Sequence, residues 1–367
     1  MPRLFLETER MTNLTSGMGQ LCLHLGRELV RQKPPGWELT FLVARHQVGI
    51  FGPSVKYRVA TRWGRFQRFR GYDVWHCLHQ DSRFCPTRSS RFLYTILDLN
   101  YLSLPHYSTA RKERRKRRYQ TKINQAERIT TISAYVAGEV QRQLMVPPPL
   151  MPRVIYCGVD VPTFLPAKAP AIRPGGPFLF FVGMLQPYKN VHVLLPLLVA
   201  YPDHWLVLAG PDKPEYSRQI WQQAQQLAVA DRLVIPGPID EATKWWYYAH
   251  CDAFMFPSLL EGFGIPVVEA MALGKPVFSS PLTSLPEVGG SEAFYFSAFD
   301  ANTVVETFRK GMALYQNDPH MPDRLRRQSQ RFRWETAAAE YWKLYQELMG
   351  ESIPDETLTY SSEYETP

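Results

Sequence analysis

Apolar residues follow two rhythms that alternate along this chain. Short unbroken runs, the pattern of strands buried on both faces, fall at residues 4–6, 37–43, 73–76, 91–97 and 128–131, and again at 178–182, 205–209, 233–235 and 253–256. Between them lie stretches of helical spacing: Leu21, Leu25 and Leu29 within residues 18–31, then residues 110–126, 134–144, 215–227 and 241–250. Strand followed by helix, repeated, predicts α/β architecture with parallel sheets covered by helices on both faces. From residue 302 onward the pattern is largely helical. The rhythm breaks across residues 162–177, which are rich in Pro, Ala and Gly, and then starts afresh. A length of 367 residues suits two domains. We therefore expect one domain over residues 1–160, a linker over 161–177 and a second domain over 178–333, followed by a helix over 334–350. Residues 351–367 carry acids, serines and threonines without a basic residue, so a disordered tail is expected.

Candidate chemistry concentrates in residues 257–277, PSLLEGFGIPVVEAMALGKPV. Pro257 and Ser258 end the strand at 253–256. Gly262 and Gly264 free the loop backbone, while Pro266 at a helix start and Gly274 with Pro276 at its end delimit a short helix. The unpaired amides at Gly264 and Ile265, at the positive end of that helix, suit an anion such as a diphosphate. Glu261 and Glu269 stand on either side, and carboxylates accept hydrogen bonds from the hydroxyls of a sugar or a ribose. From spacing alone an ordinary strand-to-helix turn reads the same way. Gly183 ends another apolar strand, and Lys189 in the loop after it lies at the same carboxyl end of a parallel sheet, a position for stabilising a phosphate leaving group.

The string from Glu261 to Val277, together with Ser284-Leu-Pro-Glu287-Val, resembles the E-x7-E donor-sugar motif of retaining GT-B glycosyltransferases, which include bacterial mannosyl- and glucosyltransferases of cell-surface polysaccharide and lipopolysaccharide synthesis. The resemblance spans nearly the whole chain and is strongest over residues 180–288. It implies two Rossmann-like domains facing a cleft, with the N-terminal one receiving a saccharide or lipid-linked acceptor and the C-terminal one holding a GDP- or UDP-linked sugar. Glu261 and the amides of Phe263 and Gly264 would hold the donor sugar, Glu269 the ribose, and the stretch from Pro236 to Asp240, which contains Ile239, the base. Gly17 and Gly19 would let the acceptor-domain backbone approach the donor, His76 or His79 would touch substrate at the cleft edge, and residues 334–350 would cross back to the first domain. The chain departs from the pattern twice. Leu97 replaces the histidine that usually precedes Asp98, and Met184 and Tyr188 occupy the positions where an arginine is common. Those departures keep open a nucleotide-sugar-binding subunit without turnover, and the architecture also admits a sugar-nucleotide epimerase. No G-x-G-x-x-G is present, which argues against a dinucleotide-dependent dehydrogenase.

Charge and cysteine content narrow the partners. A formal net charge of +8 favours an anionic partner. Residues 111–118 carry Arg111, Lys112, Arg114, Arg115, Lys116, Arg117 and Arg118 against Glu113 alone. Residues 62–70 interleave Arg62, Arg65, Arg68 and Arg70 with Trp63, Phe66 and Phe69. Both segments read either as faces for an anionic membrane surface or as a solvated face and a core-packed stripe. No nucleic-acid module accompanies them. The start lacks the pattern of a signal peptide, no run approaches a membrane span, and five scattered cysteines form no framework, so a cytoplasmic protein, peripheral on the inner face of its membrane at most, is expected. No cofactor is expected, nor any metal, because no D-x-D stretch and no His or Cys cluster has ligand spacing.

Overall fold

In the computed structural model the described residues are 1–351 except 13, 15, 62–68, 85, 87, 88 and 167. The first half runs β1 (Arg3–Glu7), α1 (Gly17–Arg31), β2 (Glu38–Val43), β3 (Lys56–Val59), β4 (Val74–Cys77), β5 (Arg91–Ile96), α2 (Thr109–Ile123), β6 (Arg128–Thr131), α3 (Ala134–Gln143) and β7 (Arg153–Val154). Its seven strands pair in the order β3-β2-β1-β4-β5-β6-β7. The second half runs β8 (Phe178–Val182), α4 (Leu195–Ala200), β9 (Trp205–Ala209), α5 (Pro214–Gln226), β10 (Leu233–Gly237), α6 (Glu241–His250), β11 (Ala253–Phe256), α7 (Ile265–Ala272), β12 (Val277–Ser279), α8 (Leu285–Gly289), β13 (Phe294–Tyr295), α9 (Ala301–Asn317), α10 (Met321–Ser329) and α11 (Trp334–Met349). Six strands form its sheet, ordered β10-β9-β8-β11-β12-β13.

Among the described residues every strand pairing is parallel. That explains why β8, Phe-Leu-Phe-Phe-Val, is apolar throughout: helices cover both faces, and all but Val182 are buried. β3, β7, β12 and β13 escaped the sequence reading because they are short edge or near-edge strands with little apolar run. Each sheet reverses its winding once, between β1 and β4 and between β8 and β11, and the carboxyl ends of such strand pairs are where open α/β sheets present ligand sites.

α11 packs on the first sheet although it ends the described chain. The Trp342 indole donates to the Leu29 carbonyl at 3.2 Å, and Tyr341 and Tyr345 reach Thr95, Thr130 and His76. His76 is therefore not at a cleft edge. It is fully buried beneath α11, its ring nitrogens 2.7 Å from Tyr345 Oη and 2.7 Å from Thr95 Oγ1. Burial alone pushes it down to about 3.

Candidate functional site

Lys189 is aimed by backbone geometry. Residues Pro187–Lys189 make one turn of 3-10 helix, and Asn190 closes it in the left-handed region at φ 59°. The Lys189 ammonium pairs with the Glu261 carboxylate, and both side chains are mostly buried. It also lies 5.3 Å from the centre of the Phe256 ring at the end of β11. Around Glu261 the loop is pinned from behind: its amide donates to Thr283 Oγ1 at 3.2 Å, and the Ser284 hydroxyl donates to the Phe263 carbonyl at 2.9 Å. Gly264 adopts φ 112°, a conformation that favours glycine, and α7 begins at Ile265 with no side chain capping it. The uncapped start of α7 follows directly on the loop in which Glu261 holds Lys189, an order of groups suited to an anion with hydroxyls beside it.

Glu269, one turn into α7, is held in a way that the sequence reading missed. Its Oε1 lies 2.7 Å from Lys244 Nζ, and its Oε2 accepts from the Tyr248 hydroxyl at 2.8 Å. Lys244 also reaches Glu241 at 2.9 Å. Burial would lower the Lys244 ammonium, but the two carboxylates carry it above its ordinary value. The available signal was Lys244 and Tyr248 lying four residues apart on one helix. Ile239 is half-buried just after β10, and Gly183 directly follows β8, so both lie at the carboxyl edge of the sheet that carries Lys189. Met184 is exposed in the same loop.

The first sheet supplies the opposing wall. A Cβ on Gly262 would run into the carbonyl oxygen of Leu97 and come within 3.2 Å of the Asp98 Cβ, so the two halves touch through backbone here. Ser133 Oγ donates to the Gly262 carbonyl at 2.7 Å, and the Glu287 carboxylate accepts from the amides of Ala134 and Tyr135 at 2.6 and 3.1 Å. Glu287 thus caps α3 from across the cleft. Burial raises the Asp98 carboxyl, its Oδ1 accepting from the Asn100 amide at 3.0 Å. Of the other expected residues, Gly17 and Gly19 open α1 under the cap of Ser16, with no left-handed backbone demanded. His79 does not line the cleft surface. It is fully buried, 3.3 Å from Glu9. The fold gathers Glu7, Glu9 and His79 with donor atoms all within 4.8 Å of one another, a cluster invisible to sequence spacing.

The basic run on α2 is divided. Arg115 and Arg118 both bind Asp81, and the guanidinium of Arg111 sits 4.3 Å from the centre of the Tyr107 ring. Arg114 and Arg117 are exposed. Residues 62–68 of the other basic segment lie outside the described residues. Among the described residues no helix is long and apolar enough to cross a membrane.

Comparison with known proteins bears on this arrangement. Residues 167–332, which include Lys189, Lys244, Glu261 and Glu269, match the family Glycosyl transferases group 1. The chain is 26% identical to O-antigen chain mannosyltransferase B of Escherichia coli over 241 residues, spanning 62% of each protein. Sucrose-phosphate synthase from Thermosynechococcus elongatus superposes with a TM-score of 0.75 at 20% identity, over 95% of this chain and 100% of that one. Anabaena Alr3699/HepE in complex with UDP and glucose superposes at 0.71 with 16% identity, over 94% and 99%. The fold is accordingly GT-B: two parallel α/β sheets facing each other.

Proposed function

We propose that this protein is a retaining glycosyltransferase that moves a hexose, with mannose the foremost candidate, from a GDP- or UDP-linked donor to a lipid-linked or lipopolysaccharide-type saccharide acceptor. The observation that carries the reading is the pairing of Lys189 with Glu261 in the loop that leads into the uncapped start of α7, inside the segment that matches the group 1 family. The name of the Escherichia coli relative supports mannose and a cell-surface glycan. In the reaction the bond from the anomeric carbon to the diphosphate oxygen breaks, and the electron pair leaves with the diphosphate. Lys189 and the amides at Gly264 and Ile265 meet that growing negative charge, so the donor side works without a metal. Glu261 orients the sugar hydroxyls, and Glu269, steadied by Lys244 and Tyr248, takes the ribose. The acceptor hydroxyl bonds to the anomeric carbon on the face the diphosphate leaves, and its proton passes to the departing phosphate or to solvent. Asp98 stands at the acceptor wall beside Gly262. The exposed Arg114 and Arg117 would face anionic lipid, placing the enzyme on the inner face of the cytoplasmic membrane.

A melting panel with GDP-, UDP- and ADP-sugars, followed by release of free sugar, tests this. A donor at a hundred times its Kd stabilises the fold by about 2.7 kcal/mol. The expected result is a shift with one nucleotide class, slow hydrolysis of that donor, and loss of the shift in Lys189→Ala and Glu269→Gln. Binding without any turnover would point instead to a donor-binding subunit, and unchanged binding in both variants would remove the site assignment.

A further inference from the structure

At the other switch point, between β1 and β4, three side chains converge whose buried polar atoms are only partly satisfied. Glu7 is the last residue of β1 and is fully buried. One of its oxygens takes the Trp75 indole N–H, while Oε2 has no hydrogen-bond partner. Glu9 opens the adjoining 3-10 turn Glu9–Thr12, and its Oε2 is likewise buried and unpaired. His79 follows β4 by two residues, and neither ring nitrogen makes a hydrogen bond. Its Nε2 lies 3.3 Å from Glu9 Oε1 without the alignment a hydrogen bond needs. Orphaned polar atoms at full burial are costly, and several pointing at one spot mark a missing ligand.

We propose that Glu7, Glu9 and His79 bind one divalent transition-metal ion, Zn2+ or Mn2+. Ligands held about 2.0–2.2 Å from such an ion lie at most about 4.3 Å apart, and the donor atoms here already lie within 4.8 Å, so small side-chain adjustments close the site. An imidazole nitrogen among two carboxylates selects transition metals over Mg2+ and Ca2+, which prefer oxygen. Lys122, buried among the same groups, and the exposed Arg10 already oppose the charges of Glu7 and Glu9, so the case for the ion rests on the unsatisfied donor atoms and their spacing. Cys77 is not a fourth ligand, since its thiol donates to the His79 carbonyl at 3.1 Å and burial pushes it well above its ordinary value. A groove of about 490 Å3, bordered by Met11, Thr12, His46 and Gln47, lies along the 3-10 turn Glu9–Thr12 that Glu9 opens. Gln47 is tied to that turn by its side-chain amide, which donates to the Met11 carbonyl at 2.7 Å, and its Oε1 is buried and unpaired.

The test uses the full chain stripped with EDTA and titrated calorimetrically with ZnCl2 and, separately, MnCl2. One ion per chain with a micromolar or tighter Kd is expected, with a nitrogen ligand visible in the Co2+ absorption or Mn2+ resonance spectrum. Glu9→Gln and His79→Gln should each weaken binding at least tenfold and abolish the rise in melting temperature that saturating metal gives the parent. Uptake below about a tenth of an equivalent by the parent at tens of micromolar metal overturns the site, as does parental affinity in Glu9→Gln. If His79→Gln does not fold, Glu9→Gln and the spectrum of the parent decide. Because the readout is metal rather than transfer, this site stands or falls separately from the proposed reaction.

Discussion

Replacing Lys244 by methionine isolates the contribution of the Lys244–Glu269 pair. Lys244 and Glu269 side chains are 14% and 10% exposed, and their charged atoms lie 2.7 Å apart. Breaking a buried pair by removing one partner costs about 3–5 kcal/mol, because the survivor keeps its charge without compensation. Glu269 retains the Tyr248 hydroxyl at 2.8 Å, which places the expected loss for Lys244→Met near the lower end, about 3 kcal/mol. Glu241, 63% exposed, loses its contact with Lys244 at negligible cost. Adding Glu269→Gln to Lys244→Met removes the stranded charge while keeping an acceptor for Tyr248. The double variant should therefore regain about 2 kcal/mol relative to the single one. Urea unfolding of the parent, both single variants and the double variant, with slopes compared, measures the coupling directly. A loss below about 1 kcal/mol in Lys244→Met, or additive losses in the double variant, would show that Lys244 does not hold Glu269.

Two further outcomes follow from the same geometry. Burial lowers His76 to about 3 against about 6.5 in an unfolded chain, so the unfolded state binds the extra proton between those values and stability must fall as pH drops through that window. Between pH 7.5 and pH 5 the loss amounts to about 2 kcal/mol, and His76→Gln should flatten that part of the stability profile measured by urea unfolding; an unaltered profile refutes it. Gly262→Ala puts a Cβ against the Leu97 carbonyl, where backbone cannot yield, so the two halves must separate. Faster amide exchange at Ala134 and Tyr135 is expected, and exchange equal to the parent would place the contact elsewhere.

Much of the second half was legible because its signals are local. β8 and β11 are unbroken apolar runs, and the turn at Gly264 with Pro266 behind it reads directly as the start of α7. The meaning of Gly262 was not local. It reads as loop freedom, yet its absent side chain makes room for Leu97 and Asp98 from the other half of the chain. His76 was misread for a similar reason. A histidine at a strand end points to a cleft unless another element covers it, and the covering element, α11, begins at Trp334. The basic run on α2 looked uniformly unpaired because its counterion, Asp81, lies in a loop that composition does not distinguish. The pairing of Lys244 with Glu269 and the convergence of Glu7, Glu9 and His79 share this property, since strand order and helix packing bring them together.

Strand order also explains why the chain's notable charges fall into two groups rather than along the whole cleft. In each sheet the winding reverses once, leaving a gap between the loops that follow the two central strands, and only there can side chains from different strands converge without a crossing helix between them. The gap after β8 and β11 holds Lys189 and Glu261; the gap after β1 and β4 holds Glu7, Glu9 and His79. Between them the backbone approach of Gly262 to Leu97 and the Glu287 carboxylate on the first amides of α3 fix the separation of the two sheets. The distance from Lys189 to Glu7 and Glu9 is therefore set by the contact between the halves, and changes at either gap should alter binding on its own wall before they alter the other.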